Sequence, residues 1–260
     1  AKVSERNFMQ NSVLPNLLLV DDNEEIIDFL EVALQKHYQI IKAKDGLQAL
    51  DLAFEHIPDL IISDVMMPNL DGYGLCGKIK TDERTRHIPL ILLTARTGEL
   101  QELDGLKKGA DVYLTKPFSI QKLKIIIDNL LALQYSMRQK FSQQLSIQPS
   151  AIEVESSDDE FLQKVLLIFE KNLTNSDFNV NTFAAEIGMS TPVFYKKINA
   201  LTGLTVNNFM KSIRLKRAMQ LLEKKAGNIS EIAYMVGFND SKYFSKEFRK
   251  QFGKSPSNYI

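Results

Sequence analysis

Short apolar runs and amphipathic stretches alternate through the first half of the chain. Leu17–Val20, Gln39–Ala43, Asp59–Ser63, Pro89–Leu93 and Asp111–Leu114 are apolar runs of strand length. Between them, Glu24–Lys36, Gly46–Glu55 and Gly72–Lys80 carry apolar positions at helical spacing. Strands alternating with helices predict a parallel sheet covered on both faces, and five such repeats suit a doubly wound α/β fold. In that fold functional side chains gather at the carboxyl ends of the strands.

From Phe161 onward the strand-like runs disappear. The periodicity predicts helices near Asp159–Leu173, Thr182–Ile187, Pro192–Thr202, Val206–Lys224, Ile229–Val236 and Ser241–Phe252. Gly188, Gly203, Gly237 and Gly253 punctuate them as turn or helix-end residues. Tyr135–Ser157 is rich in Gln and Ser, contains Pro149, and reads as a connector that begins as an extension of the preceding helix. The expected organisation is an α/β domain over 15–134, a linker over 135–157 and an all-α domain over 158–260.

Composition narrows the classes of function. The 260 residues suffice for two domains, each with its own core. No apolar run approaches the roughly 18 residues that a membrane span needs. Ile125–Leu133 is too short and contains Asp128 and Asn129. No secretory signal is visible, and Cys76 stands alone, so the expected location is a reducing cytoplasm. The first residue is Ala1 rather than Met, which reads as a fragment or a processed chain. A formal net charge of zero hides an asymmetry: about five acidic charges in excess over Ala1–Tyr135, and about eight basic ones over Phe161–Ile260. Basic excess on one domain is the footprint of nucleic-acid binding, although charge alone fits a solvated surface equally well.

The candidate chemistry of the first half lies at its strand ends. Asp21 and Asp22 follow the first run, Asp64 the third, Thr94 the fourth and Lys116 the fifth. Clustered carboxylates repel one another unless a cation joins them, and oxygen-only ligation selects a hard ion such as Mg²⁺. Asp64 is placed to attack a phosphoryl group, with Lys116 neutralising its charge and the Thr94 hydroxyl donating to it. Singly, each residue has an ordinary reading: Asp21–Asp22 as a helix cap, Lys116 as a surface lysine. The combination is far more specific.

The segments Leu18-Leu-Val-Asp-Asp-Asn, Ser63-Asp-Val-Met-Met-Pro-Asn-Leu-Asp-Gly, Leu92-Leu-Thr-Ala-Arg and Gly109-Ala-Asp-Val-Tyr-Leu-Thr-Lys-Pro-Phe resemble the receiver domains of two-component systems over about Pro15–Leu133. The resemblance implies a flavodoxin-like five-stranded sheet in the order 2-1-3-4-5. It implies that Asp64 is the phosphoacceptor and that Asp21, Asp22, Asp64 and the backbone carbonyl of Met66 hold Mg²⁺. Thr94 and Tyr113 would be the switch pair and Lys116 a phosphoryl contact following a strand and preceding a cis proline; Tyr113 as a plain packing aromatic stays open.

In the second half one helix-turn-helix pattern repeats, at Val180–Ile198 and at Asn228–Phe252. In the first, Ser190 is a cap candidate, Pro192 sits in the first turn, and Phe194 and Ile198 face the core. Pro192, Tyr195 and Lys196 are left on the other side. In the second, Phe244 and Phe248 face inward and Ser241, Lys242, Ser245 and Lys246 outward, a surface suited to a major groove. Arg214 and Arg217, on the long helix between the units, either reach phosphates or are tied into the packing. The bland alternative is a helical bundle with solvated lysines. Ile232-Ala-Tyr-Met-Val-Gly-Phe and Phe252-Gly-Lys-Ser-Pro-Ser-Asn-Tyr resemble the AraC/XylS family over about Asp159–Ile260. That resemblance implies base contacts from the seven outward residues just named.

The combined expectation is a phosphorylation-regulated, sequence-specific transcription regulator that binds double-stranded DNA. Its phosphodonor would be a histidine kinase, and the chain order is that of the C-terminal end of hybrid two-component regulators. A free-standing response regulator is the runner-up, and a phosphorelay or protein-docking module without DNA binding ranks below it. A phosphohydrolase using Asp64 ranks low, because the second catalytic Asp usual in such enzymes is Met66 here. Activation is expected to produce a homodimer through the helices near Gly98–Lys108 and Ser119–Leu133.

Overall fold

Three consecutive leucines, Leu17, Leu18 and Leu19, are all fully buried. A strand buried on both faces belongs inside a parallel sheet. In the computed structural model, which describes residues 14–95, 109–147 and 157–259 (140–147 by backbone alone), the first unit has that sheet. Its strands are β1 (Asn16–Val20), β2 (Gln39–Ala43), β3 (Leu60–Asp64), β4 (Leu90–Thr94) and β5 (Val112–Thr115). All pairings are parallel and the order is β2-β1-β3-β4-β5, as the receiver resemblance implied.

Among the described residues the helices of this unit are α1 (Glu24–Leu34), α2 (Gly46–His56), α3 (Gly72–Thr81) and the first part of α4 (Ile120–Ile147), whose residues from Tyr135 on fall in the second unit. On one sheet face Leu17, Leu19, Leu60, Ile62, Ile91 and Leu93 pack with residues of α1 and α4, including Leu30, Leu34, Leu123 and Ile127. The neighbouring residues Leu18, Ile61 and Leu92 are equally buried, with opposite parity along their strands. α1, α2 and α3 start on side-chain caps: Asn23, Asp45 and Asp71 accept from backbone N–H groups of the first turn. α4 continues to Ile147, well into the stretch assigned to the connector. The segment Gly98–Lys108, half of the expected dimer face, lies outside the described residues.

The second unit contains α5 (Ser157–Lys171), α6 (Val180–Ile187), α7 (Thr191–Thr202), α8 (Val206–Glu223), α9 (Ile229–Met235) and α10 (Ser241–Phe252). Phenylalanines dominate its core: Phe161, Phe169, Phe183, Phe194, Phe209, Phe244 and Phe248 are each at most 1% exposed. The internal repeat is visible in the caps. α6 and α9 each begin with a capping box, Asn179 with Thr182 and Asn228 with Glu231. Ser190 occupies the N-cap position of α7, but its side chain makes no capping hydrogen bond, unlike the sequence expectation. The chain divides into two compact units, Ala1–Gln134 and Tyr135–Ile260.

Candidate functional sites

Strand register assembles the acidic pocket. Val20 pairs with Ser63, so Asp21 and Asp64 lie side by side at adjacent strand ends. Asp64 pairs with Leu93, and Thr94 with Thr115, which brings Thr94 and Lys116 to the same edge. Asp21, Asp64 and Thr94 are all buried. The Lys116 ammonium donates to Asp64 Oδ1 at 2.5 Å and to Asp21 Oδ2 at 3.2 Å. The backbone N–H of Met66 donates to Asp64 Oδ2 at 2.7 Å, and that of Asn23 to Asp21 Oδ1 at 2.9 Å. The Lys116–Pro117 peptide is cis.

Burial raises the Asp21 carboxyl above its usual value, and the charge of Asp64 adds to this; Lys116 and the Asn23 N–H act in the opposite direction. Burial works against the Lys116 charge, but the hydrogen bond it donates to Asp64 and the charges of the two carboxylates outweigh it and hold its pKa up. Among the described residues no three carboxylate, His or Cys side chains close into a preformed metal cage. Lys116 joins two of the carboxylates, and Asp22 is exposed beside them. The donors still fit Mg²⁺: they are oxygen atoms only, and this ion keeps several of its waters instead of needing an all-protein cage.

Gly72 was missed by the sequence reading as a site residue. A Cβ there would lie 2.3 Å from the carbonyl oxygen of Asp64, so the chain packs backbone to backbone beneath Asp64. The Asp-Gly pair at 71–72 was its only signal: Asp71 caps α3 and Gly72 permits the close approach. Tyr113 is half-buried near Tyr73, with ring centroids 6.5 Å apart. Its hydroxyl is buried without a hydrogen-bond partner among the described residues, and burial pushes its pKa up.

In the second unit Phe194, Ile198, Phe244 and Phe248 are fully buried, which turns the opposite sides of α7 and α10 outward. Pro192 is exposed; Tyr195 and Lys196 are half-buried, and Tyr195 packs against the core. Lys242 and Lys246 are exposed, while Ser241 and Ser245 are half-buried, with the Ser245 hydroxyl donating to the Ser241 carbonyl at 2.8 Å. Arg217 is exposed and donates to Gln220 Oε1 at 2.9 Å. Arg214 takes the packing role, the second of the two that the sequence left open. Its guanidinium donates to the carbonyls of Gly237 at 3.0 Å and Asn175 at 3.1 Å and lies over the Phe169 ring, so it is tied into packing instead of being presented to phosphate.

Two buried lysines escaped the sequence reading. Lys197 is fully buried, over the Phe161 ring at 4.3 Å and 3.7 Å from Asp158 Oδ1. Lys216 is 4% exposed and its ammonium meets no hydrogen-bond partner among the described residues. Helical spacing carried the signal for both. Lys197 lies three residues after Phe194 and Lys216 three after Ile213, on core-facing stripes.

Two families match the chain. Residues 17–128 match the response regulator receiver domain, and residues 183–260 match a helix-turn-helix domain. Histidine kinase P4 of Formosa agariphila is 44% identical over 243 residues, which cover 94% of this chain and 18% of that protein. The DNA-binding dual master transcriptional regulator RpaA of Synechocystis sp. is 38% identical over 120 residues, 45% of this chain and 49% of that protein. The solved receiver domain of sensor histidine kinase PA1611 from Pseudomonas aeruginosa, described with a magnesium ion in its active site cleft, is 31% identical. That likeness covers 46% of this chain and 99% of the other, with a TM-score of 0.44. The chain spans less than a fifth of the first relative and about half of the second. No helix among the described residues is long and apolar enough to cross a membrane. The chain joins a response regulator receiver domain to an AraC-type helix-turn-helix domain.

Proposed function

We propose that Asp64 accepts a phosphoryl group from a histidine kinase and that this event controls sequence-specific binding of DNA by α7 and α10. The observation that carries the first half is the Lys116 ammonium, held between Asp64 and Asp21 at the edge where β1, β3, β4 and β5 end. An Asp64 carboxylate oxygen attacks phosphorus, the bond from phosphorus to the donor imidazole breaks, and its electron pair stays on that nitrogen. The Lys116 ammonium moves from carboxylate to phosphoryl oxygen, and the Thr94 hydroxyl donates to another. Asp21 and Asp64, with Asp22 acting through water and the Met66 carbonyl, would hold Mg²⁺, which supplies positive charge at the transferred group. The Met66 N–H, bound to Asp64 Oδ2, keeps the other oxygen oriented for attack. Tyr113 pairs with Thr94 as the switch: its buried hydroxyl gains a partner when the ring moves.

In this reading the receiver spans 15–134, a linker 135–157 and the DNA-binding domain 158–260. The match to a protein named histidine kinase P4, over 94% of this chain, favours a kinase portion of the same polypeptide as phosphodonor over a free-standing regulator. Pro192, Tyr195, Lys196, Ser241, Lys242, Ser245 and Lys246 form the base-facing sides of the reading helices, and Arg217 is the phosphate candidate on α8. Labelling with acetyl phosphate and Mg²⁺ tests the site. Wild type is modified and Asp64→Asn is not; equal labelling of the variant would remove Asp64 from its role.

A further inference from the structure

Between its two helix-turn-helix units, the second unit has an open cleft of about 520 Å³. It is formed by the start of α6, the first turns of α8 and the start of α10. Asn179, Asn207, Asn208, Asn239 and Tyr243 are exposed along it, and half-buried Lys211 lines it beside them. Each amide offers two N–H donors, the phenol one and the ammonium three. The nearby carboxylates are engaged locally. Asp240 accepts from the Tyr243 backbone N–H at 2.6 Å as the cap of α10, and Glu247 pairs with Lys211 at 2.6 Å. The cleft therefore presents amide and phenol donors beside one capping carboxylate and a paired lysine, on a domain with a basic excess.

Its position identifies an occupant. In a helix-turn-helix unit the recognition helix puts its N-terminal residues on base edges, and the first helix crosses the DNA backbone. The cleft joins the start of α10, a recognition helix, to the start of α6, a first helix. If α7 and α10 enter successive major grooves, the strand between the grooves passes over this surface. Most protein–DNA hydrogen bonds go to phosphate and sugar, and Asn, Tyr and Lys side chains are typical donors. We propose that the cleft seats the sugar–phosphate backbone between the two grooves, with Asn179, Asn208 and Tyr243 donating to phosphate oxygens. The inference rests on the DNA-reading proposal above. Being mostly neutral, these contacts position the duplex without sequence preference and add little to the salt dependence.

The test uses substitutions that the helices tolerate. Asp caps a helix as well as Asn, so Asn179→Asp keeps the start of α6. Asn208→Asp puts a carboxylate in the first turn of α8, where the helix dipole favours it. Both place negative charge against the proposed phosphates, and Asn208→Lys does the reverse. Fluorescence anisotropy would measure binding of the full chain to a random-sequence duplex pool, long enough to span two grooves, across a salt series, with Lys242→Ala in parallel. Each Asp variant should bind about tenfold more weakly, as like charges brought together require. Asn208→Lys should steepen the salt slope by about one. If these three variants match wild type while Lys242→Ala weakens binding, the cleft is off the DNA and the inference fails alone. If wild type itself binds no duplex, the DNA-reading proposal fails, and the inference with it.

Discussion

Replacing Lys216 with Met should stabilise the protein, and the gain should depend on pH. Lys216 lies in the core of the helical unit, and burial pulls its pKa from 10.5 down to about 8. No carboxylate offsets this, and its ammonium has no hydrogen-bond partner among the described residues. Wherever both folded and unfolded chains are protonated, the folded state is penalised by the full difference, on the order of 3 kcal/mol. Above about pH 10.5 both states are neutral and nothing is lost. As pH falls from there towards about 8, the unfolded chain takes up a proton that the folded one refuses, so stability declines. Below that window the full penalty applies. Met keeps an unbranched stem of similar length and removes the charge. The expected gain near neutrality is about 2–3 kcal/mol, shrinking through the window and nearly gone above it. Urea unfolding of the full chain, wild type against Lys216→Met, reads this directly. Because the two units have separate cores, only the transition of the helical unit should move. A variant less stable than wild type near neutrality, or a gap constant with pH, would refute the reasoning.

Three further outcomes are expected. Gly72→Ala, which forces a Cβ against the Asp64 carbonyl, should cost about 1–3 kcal/mol in the receiver transition and slow phosphorylation; urea unfolding and acetyl phosphate labelling check it. Lys242→Ala and Lys246→Ala separate two roles: loss of a guanine contact costs about 1–3 kcal/mol at one base position, whereas loss of a phosphate contact lowers the salt slope by about one on specific and scrambled DNA alike. Beryllofluoride with Mg²⁺ should drive association in sedimentation, and an unchanged monomer in both states would contradict a dimerising switch.

Much of the receiver was legible in the sequence because its signals are local. A buried parallel strand needs a continuous apolar run, and Leu17–Val20 and Leu60–Ile62 supply it; Asp21 and Asp64 then mark where the runs stop. Helix ends were legible through Gly188, Gly203 and Gly253, which take the left-handed conformation that favours glycine. What escaped depends on tertiary neighbours. Lys197 and Lys216 read as surface residues by type, although their spacing placed them inside. Arg214 could not be assigned until Gly237 and Asn175 brought their carbonyls to it. The continuation of α4 to Ile147 was legible as a helical start to the Gln- and Ser-rich connector, and no breaker precedes Pro149; composition left open only how far the helix runs.

The proposed link between the two halves is one event, phosphorylation of Asp64. The most direct test is the affinity of the full chain for duplex DNA containing its selected site, measured by anisotropy with and without beryllofluoride and Mg²⁺, for wild type and Asp64→Asn. The account predicts that beryllofluoride tightens binding by wild type and leaves Asp64→Asn unchanged. Wild type that binds equally in both states, or a variant that responds as wild type does, would contradict it.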